Sequence, residues 1–160
     1  MSEGKFNIDL ISLDNINVIS ATLENQSGLK TVDHSGLDIS FHYQLVPALS
    51  VRSRQVLVSA EYEIRAAKGE NAPLAIASKY KISFLFSVTN LSDLAVLQDG
   101  ELIDVDEEML SSILNITYST SRGILYTRYL GTVLEGIILP IIPTADLVKL
   151  SAIRPISTKK

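Results

Sequence analysis

Cysteine is absent from the 160-residue sequence. That rules out a disulfide framework, a thiol nucleophile and cysteine-ligated metal, and it fits a reducing compartment. Histidine is almost as scarce, with only His34 and His42. The two do not share an HxxxH spacing, so solvated imidazoles are favoured over a metal pair. There is no excess of basic charge: the formal net charge is -4, which argues against a nucleic-acid face. The basic residues do not interleave with aromatics either, as a stacking platform would need. No phosphate-binding glycine loop or nucleophile elbow appears. The first ten residues lack a basic region followed by an apolar core, so no secretory signal is expected. The longest uncharged apolar run, Gly136 to Pro143, falls well short of the about 20 residues that span a bilayer. The expectation is a soluble cytoplasmic protein with no cofactor and no membrane insertion.

What is present is enough apolar material for a core. Hydrophobic residues make up 46% and charged residues 20%, which suits one ordered domain of this length. We expect a single domain over 1–160, with a core of about 5–151 and a frayed tail at 152–160. The first half alternates with period two. Phe6, Ile8 and Leu10 alternate with polar residues, and Ile16 to Leu23 can extend that strand. Leu37 to Leu45, Val56 to Ile64 and Tyr80 to Val88 repeat the pattern, with turn formers such as Gly69, Asn71 and Pro73 between. Four such strands predict an antiparallel sheet with one wet face.

The second half changes period. Asp104 and Asp106 are candidate N-caps before Glu107 and Glu108, since acids suit the positive end of a helix dipole. No proline interrupts from Glu107 to Glu135, which predicts one helix of about seven or eight turns. Pro140 and Pro143 then impose an irregular segment, and a short helix can follow over Thr144 to Leu150. The predicted fold class is α+β: a four-stranded antiparallel sheet, then a long C-terminal helix and a short helix.

At about 100° per residue, Met109, Ile113, Ile116, Thr120, Gly123, Thr127, Gly131 and Leu134 share one side of the long helix. Tyr118, Leu125, Tyr129 and Val133 fall roughly opposite, with Ser111 and Arg122. A helix that is apolar on two sides implies contact on both, one with its own sheet and one with a second copy of the chain. The small residues in the middle of the first side then let another backbone approach closely. The other open reading is that these glycines fit against bulky side chains of the same sheet. Glu61 and Glu63 share a sheet face, as do Lys79 and Lys81, so a cross-strand ion-pair ladder is favoured over paired catalytic carboxylates. The run Asp104 to Glu108 reads as a helix start before a cation site.

The order of four strands, long helix, apolar proline-containing stretch and short helix resembles the protein-export chaperone SecB and its relatives. The stretch Ser119 to Leu147 carries most of that likeness. Tyr126 and Arg128 resemble the tyrosine and arginine of the family's long helix, and Gly136 with "IILPIIP" resembles the segment after it. "FNIDLISLDNINV" is similar to the family's first strand. The resemblance implies a homo-oligomer, a dimer of dimers with its long helices sandwiched between sheets. It implies apolar grooves that hold unfolded or precursor polypeptides without nucleotide and pass them to the SecA motor, or that serve a toxin–antitoxin pair. Groove candidates are Tyr118, Tyr126, Tyr129, Ile138, Leu139 and Ile141, with burial in the oligomer as the alternative for each. Subunit-interface candidates are Ile113, Ile116, Thr120, Gly123, Thr127 and Gly131. The motor-docking pattern is departed from: Lys79 and Lys81 stand where the family has acids, although the first strand offers Asp9 and Asp14, and the chain ends "STKK" instead of in an acidic tail. Two other classes remain open, a hotdog-type thioesterase that would have to use His42 or Glu63, and an oligomerisation domain that binds no client.

Overall fold

Alternating apolar side chains need a cover, and the chain supplies one from its own second half. The computed structural model describes residues 6–26, 36–69, 74–151 and 154–155. Strands β1 (Ile11–Asn25), β2 (Asp38–Ser50), β3 (Gln55–Ala67) and β4 (Leu74–Val88) form one antiparallel sheet in the order β1-β4-β3-β2. The connection at 27–35, which holds His34, and residues 70–73 between β3 and β4 lie outside the described residues. The predicted alternation is realised: Val56, Val58, Ala60, Tyr62 and Ile64 of β3, and Ile82, Phe84, Phe86 and Val88 of β4, are all buried. Each buried valine, isoleucine or phenylalanine of this set contributes about 1.5–3 kcal/mol.

The start of the first strand differs from expectation. Ile8–Leu10 form a single 3₁₀ turn, held by a hydrogen bond from the Asp9 N–H to Asn7 Oδ1 at 3.0 Å. The strand begins only at Ile11, and Ile16 to Leu23 do extend it. β1 pairs with β4 along its length, with irregularities between Leu13 and Asn15 and between Val18 and Ser20. Few of its residues are covered: Leu13, Ile16, Ile19 and Leu23 are exposed.

Three elements between β4 and the long helix were not anticipated. A one-turn helix α1 (Leu91–Leu94) leads into a hairpin of β5 (Ala95–Gln98) and β6 (Glu101–Val105), which forms its own two-stranded sheet. Its turn has Asp99 at φ +52° and Gly100 at φ +83°. Two positive φ values mark the type I′ geometry that matches strand twist.

Helix α2 (Glu107–Tyr129) is the cover. Asp106, not Asp104, is its N-cap, accepting from the Met109 N–H at 2.8 Å. It ends at Tyr129, short of the predicted Glu135, because Gly131 takes a left-handed φ of +75° just past the end. Glycine adopts that conformation without the steric cost other residues meet. The buried face is Leu110, Ile113, Leu114, Thr117, Tyr118, Ser121, Leu125 and Tyr129, a spacing of three and four that lays one stripe on β3 and β4. Of the two sides that the sequence left open, the tyrosine side is the one that meets the sheet. On the small-and-apolar side only Met109 and Ile113, and Leu134 past the helix end, are buried. A short helix α3 (Thr144–Leu150) lies beside α2 and buries Leu147. Arg154 and Pro155 lie in the stretch expected to be a tail, yet they form a two-residue strand β7, parallel to β2 at Ala48 and Leu49.

Helix and sheet are also joined by a buried hydrogen bond between Ser78 Oγ and Tyr129 Oη at 2.8 Å. Tyr129→Phe should therefore lower the unfolding free energy by about 1–3 kcal/mol, because Ser78 is left buried without its partner. Adding Ser78→Ala should recover part of that loss in urea unfolding. An additive double mutant would show that the bond does not couple the two elements.

Candidate functional site

The surface of interest is built by α2 and the segment that follows it. Tyr43, Tyr62 and Tyr80 stand in register across β2, β3 and β4. Tyr118 of α2 leans on the first two, with ring centroids 5.9 and 6.1 Å away, and Tyr129 meets Tyr80 edge-on at 5.9 Å. Such tilted and edge-on pairs are the arrangements that ring quadrupoles favour.

Past the helix, Gly136 at φ +85°, Pro140 and Pro143 prevent regular structure. The segment from Ile137 to Pro143 instead runs back along α2, pinned at two backbone carbonyls. Tyr118 Oη donates to the Pro140 carbonyl at 2.7 Å, and Arg122 Nε donates to the Leu139 carbonyl at 2.9 Å. Leu139 is buried beneath, while Ile138 is 51% and Ile141 84% exposed. On α2 and its C-cap, Tyr126 is 43% and Leu130 51% exposed. The result is an apolar strip on a segment that is fixed in place.

The groove candidates therefore divide. Tyr126, Ile138 and Ile141 are open to a ligand, whereas Tyr118, Tyr129 and Leu139 are buried in the subunit and hold the others in position. Sequence reasoning missed Leu130 and the two carbonyl clamps. It grouped Arg122 with the tyrosine face but gave it no partner.

The interface candidates divide as well. Ile113 faces the subunit's own core. Ile116 and Thr120 are half-buried, and Gly123 and Thr127 are exposed. A side chain built at Gly123 would meet nothing within 4 Å, so this glycine is not small to fit its own sheet. Gly131 is exposed and lies outside the helix, where its left-handed φ explains it. A groove of about 660 Å³ lies between β1 and this outer face of α2, lined by Val18, Thr120, Gly123, Ile124 and Thr127 among others.

The opposite face of the sheet carries the predicted ladder. Lys81 Nζ is 3.0 Å from Glu61, and Lys79 Nζ is 3.7 Å from Glu63. Arg65 adds a hydrogen bond to Glu63 at 2.8 Å, which holds that carboxyl below the usual carboxylate range. His42 is exposed and stands opposite Glu63 in the β2–β3 register. Asp9 lies in the 3₁₀ turn, not in the strand. Asp14 accepts from Ser12 and Ser87, which lowers its pKa. Among the described residues, no group of three or more His, Asp or Glu side chains is placed to hold a metal ion. No helix among them is long and apolar enough to cross a membrane.

An antiparallel sheet in the order β1-β4-β3-β2, covered by one long helix and a short one, is the SecB-like α+β fold. Among solved structures the chain is similar to a SecB-like chaperone of Mycobacterium tuberculosis, solved in complex with a ChAD peptide from the HigA1 antitoxin. The TM-score is 0.55 at 13% identity, over 84% of this chain and 92% of that one. No protein-family model matches the sequence, and no curated protein matches it.

Burial raises the pKa values of the Tyr118 and Tyr129 phenols to about 12, with the neighbouring Tyr43 adding to the effect at Tyr118 and the Ser78 hydrogen bond opposing it at Tyr129. Burial also raises Tyr62, whose hydroxyl lacks a hydrogen-bond partner of good geometry. A raised folded-state pKa means that the folded protein holds the proton more tightly. The associated stability is present below the unfolded value near 10 and is lost as pH rises toward 12. Chemical unfolding should therefore show stability falling above about pH 10, and Tyr118→Phe should shrink that alkaline loss. A tyrosinate absorbance step that precedes unfolding and is lost in Tyr118→Phe would contradict it.

Proposed function

We propose that the protein is an ATP-independent holdase that captures extended apolar segments of unfolded or precursor polypeptides on the Tyr126, Leu130, Ile138 and Ile141 strip. The observation that carries this reading is the pinned segment itself. An isoleucine 84% exposed, on backbone fixed through Tyr118 and Arg122, is apolar surface held ready without prior ordering cost. The SecB-like fold supports it, as does the neighbour solved with an antitoxin peptide.

The working form in this proposal is a homo-oligomer. The uncovered aliphatic residues of β1 and the outer α2 face with Ile116, Thr120, Gly123 and Thr127 form the two subunit contacts, giving a dimer of dimers. As for the downstream partner, the sheet ladder offers carboxylates already matched by Lys79, Lys81 and Arg65. Matched charges steer a basic partner weakly. That favours a toxin–antitoxin client over hand-off to the SecA motor.

Two measurements check these proposals. Ile138→Ser with Ile141→Ser should weaken binding of an unfolded client by about 30-fold or more, since two exposed side chains lose about 2 kcal/mol or more of burial. The double variant should then fail to suppress aggregation of a denatured client at stoichiometric amounts. Full suppression with the oligomer intact would remove the strip from the mechanism. Separately, Gly123→Leu should leave the subunit folded, because open space surrounds that position, yet lower the oligomer's sedimenting mass. An unchanged mass would exclude the outer α2 face as an interface.

A further inference from the structure

The β5–β6 hairpin is unused by the proposed function, and it combines two properties. It exposes aliphatic side chains, with Val96 at 55% and Ile103 at 58%, and Leu97 is exposed beside them. Leu97 stands opposite Leu102, and the irregularity between Val96 and Leu97 leaves Ile103 without a cross-strand partner. The chain on either side of the hairpin also carries one sign of charge, although β7, which holds Arg154, contacts β6. Between Lys81 and Arg122 the sequence has no lysine or arginine, against Asp93, Asp99, Glu101 and Asp104 around the hairpin and three further acids at the start of α2. Asp106 is occupied as the helix cap, and Asp104 accepts from the Val105 N–H. Among the described residues none of these carboxylates joins an ion pair, although Arg52 and Arg54 of the β2–β3 turn are exposed.

The hairpin is not a loose excursion. Leu94 and Ala95 are buried at its base, and the Asp106 N–H donates to the Leu94 carbonyl at 2.7 Å. A two-stranded hairpin alone is marginal in water, so this anchoring fixes its outer surface in place. Its charge selects the occupant. A second copy would bring the same acids to a symmetric contact and be repelled. Nucleic acid and an anionic bilayer are disfavoured for the same reason. A cationic polypeptide with aliphatic residues satisfies both the apolar and the acidic parts.

We propose that the β5–β6 hairpin docks a basic segment of a partner polypeptide, one whose lysines or arginines flank two or three aliphatic side chains. The proposal rests on the polypeptide-binding reading but uses a different surface. From Asp106 the helix rises about 18 Å to Tyr118, which holds the carbonyl of Pro140 beside Ile141, and about 30 Å to Tyr126, so the apolar strip lies along the second half of α2, away from the hairpin. About five to nine extended residues cover that distance. One client can then occupy both, and the second contact gains from an elevated effective concentration.

The test uses the full-length protein and two labelled synthetic peptides. One carries Leu-Val-Leu between pairs of lysines, and the other has glutamates in place of the lysines. The lysine peptide should bind at least about tenfold tighter, with an affinity that falls as salt rises. Ile103→Thr with Glu101→Lys should reduce that binding by about tenfold or more, and Val96→Thr alone should reduce it less. Both variants should still suppress client aggregation through Ile138 and Ile141. Equal binding of the two peptides, or undiminished binding to the hairpin variants, overturns the proposal. So does a fall in sedimenting mass of those variants, which would assign the hairpin to a second copy. If the lysine peptide is lost only with Ile138→Ser and Ile141→Ser, the hairpin proposal fails while the holdase reading stands.

Discussion

The seating of α2 on the sheet through tyrosines governs the rest of the molecule. Tyr43, Tyr62 and Tyr80 make an in-register row, and Tyr118 and Tyr129 pack into it from the helix. Once that stripe faces the sheet, the rotation of the helix is set. Thr120, Gly123 and Thr127 must then point away. Arg122 and the Tyr118 hydroxyl are left at the margin, where they reach the carbonyls of Leu139 and Pro140. The same contact that closes the core therefore also fixes the exposed segment. Buried hydroxyls accompany it: Ser78 pairs with Tyr129, and Ser121 donates back to the Thr117 carbonyl within the helix. These two bonds make the seating specific as well as tight.

A single helix cannot cover four strands spaced about 4.8 Å apart, so one edge of the sheet stays bare. Here it is β1, which pairs with β4 along its length apart from two irregularities, while Leu13, Ile16, Ile19 and Leu23 remain exposed. A long apolar edge strand is a liability unless something covers it. The outer face of α2 adjoins that edge and lines the groove with Val18. Bare edge and small-residue helix face are thus parts of one continuous surface, and assembly of identical chains can cover both.

Much of the fold could be read from the residues, and the departures have physical causes. Period two located four strands because one face of each is buried and the other wet. The Glu61–Lys81 and Glu63–Lys79 pairs followed from parity alone. The long helix was located, but its end was overrun and which of its two apolar sides faces the sheet was left open. Apolar periodicity cannot rank two faces when one is aliphatic and small and the other is tyrosine-rich, since both can bury area. Gly131 was read as part of a packing strip, although its position one residue past the C-cap is where a helix calls for a left-handed residue. The hairpin had a clear signal in Asp99-Gly100 between short apolar runs, the type I′ pair, and it was passed over for the acids around it. The carbonyl clamps had no signal, because they join side chains to backbone across seventeen and twenty-two positions.

An exposed apolar strip that is to bind chains, as proposed, must do so without polymerising, and the form of the Ile137–Pro143 segment meets that demand. Were it a strand, its free edge would recruit like edges as well as clients. Were it a helix, its apolar stripe would fold back on the core or seek a second helix. Pro140 and Pro143 remove two backbone donors and block both outcomes. The carbonyls of Leu139 and Pro140, which a passing strand would need, are already taken by Arg122 and Tyr118. What is left to offer is side-chain surface at Ile138 and Ile141. Recognition through side chains alone reads apolar content more than sequence, as the proposed holdase role requires.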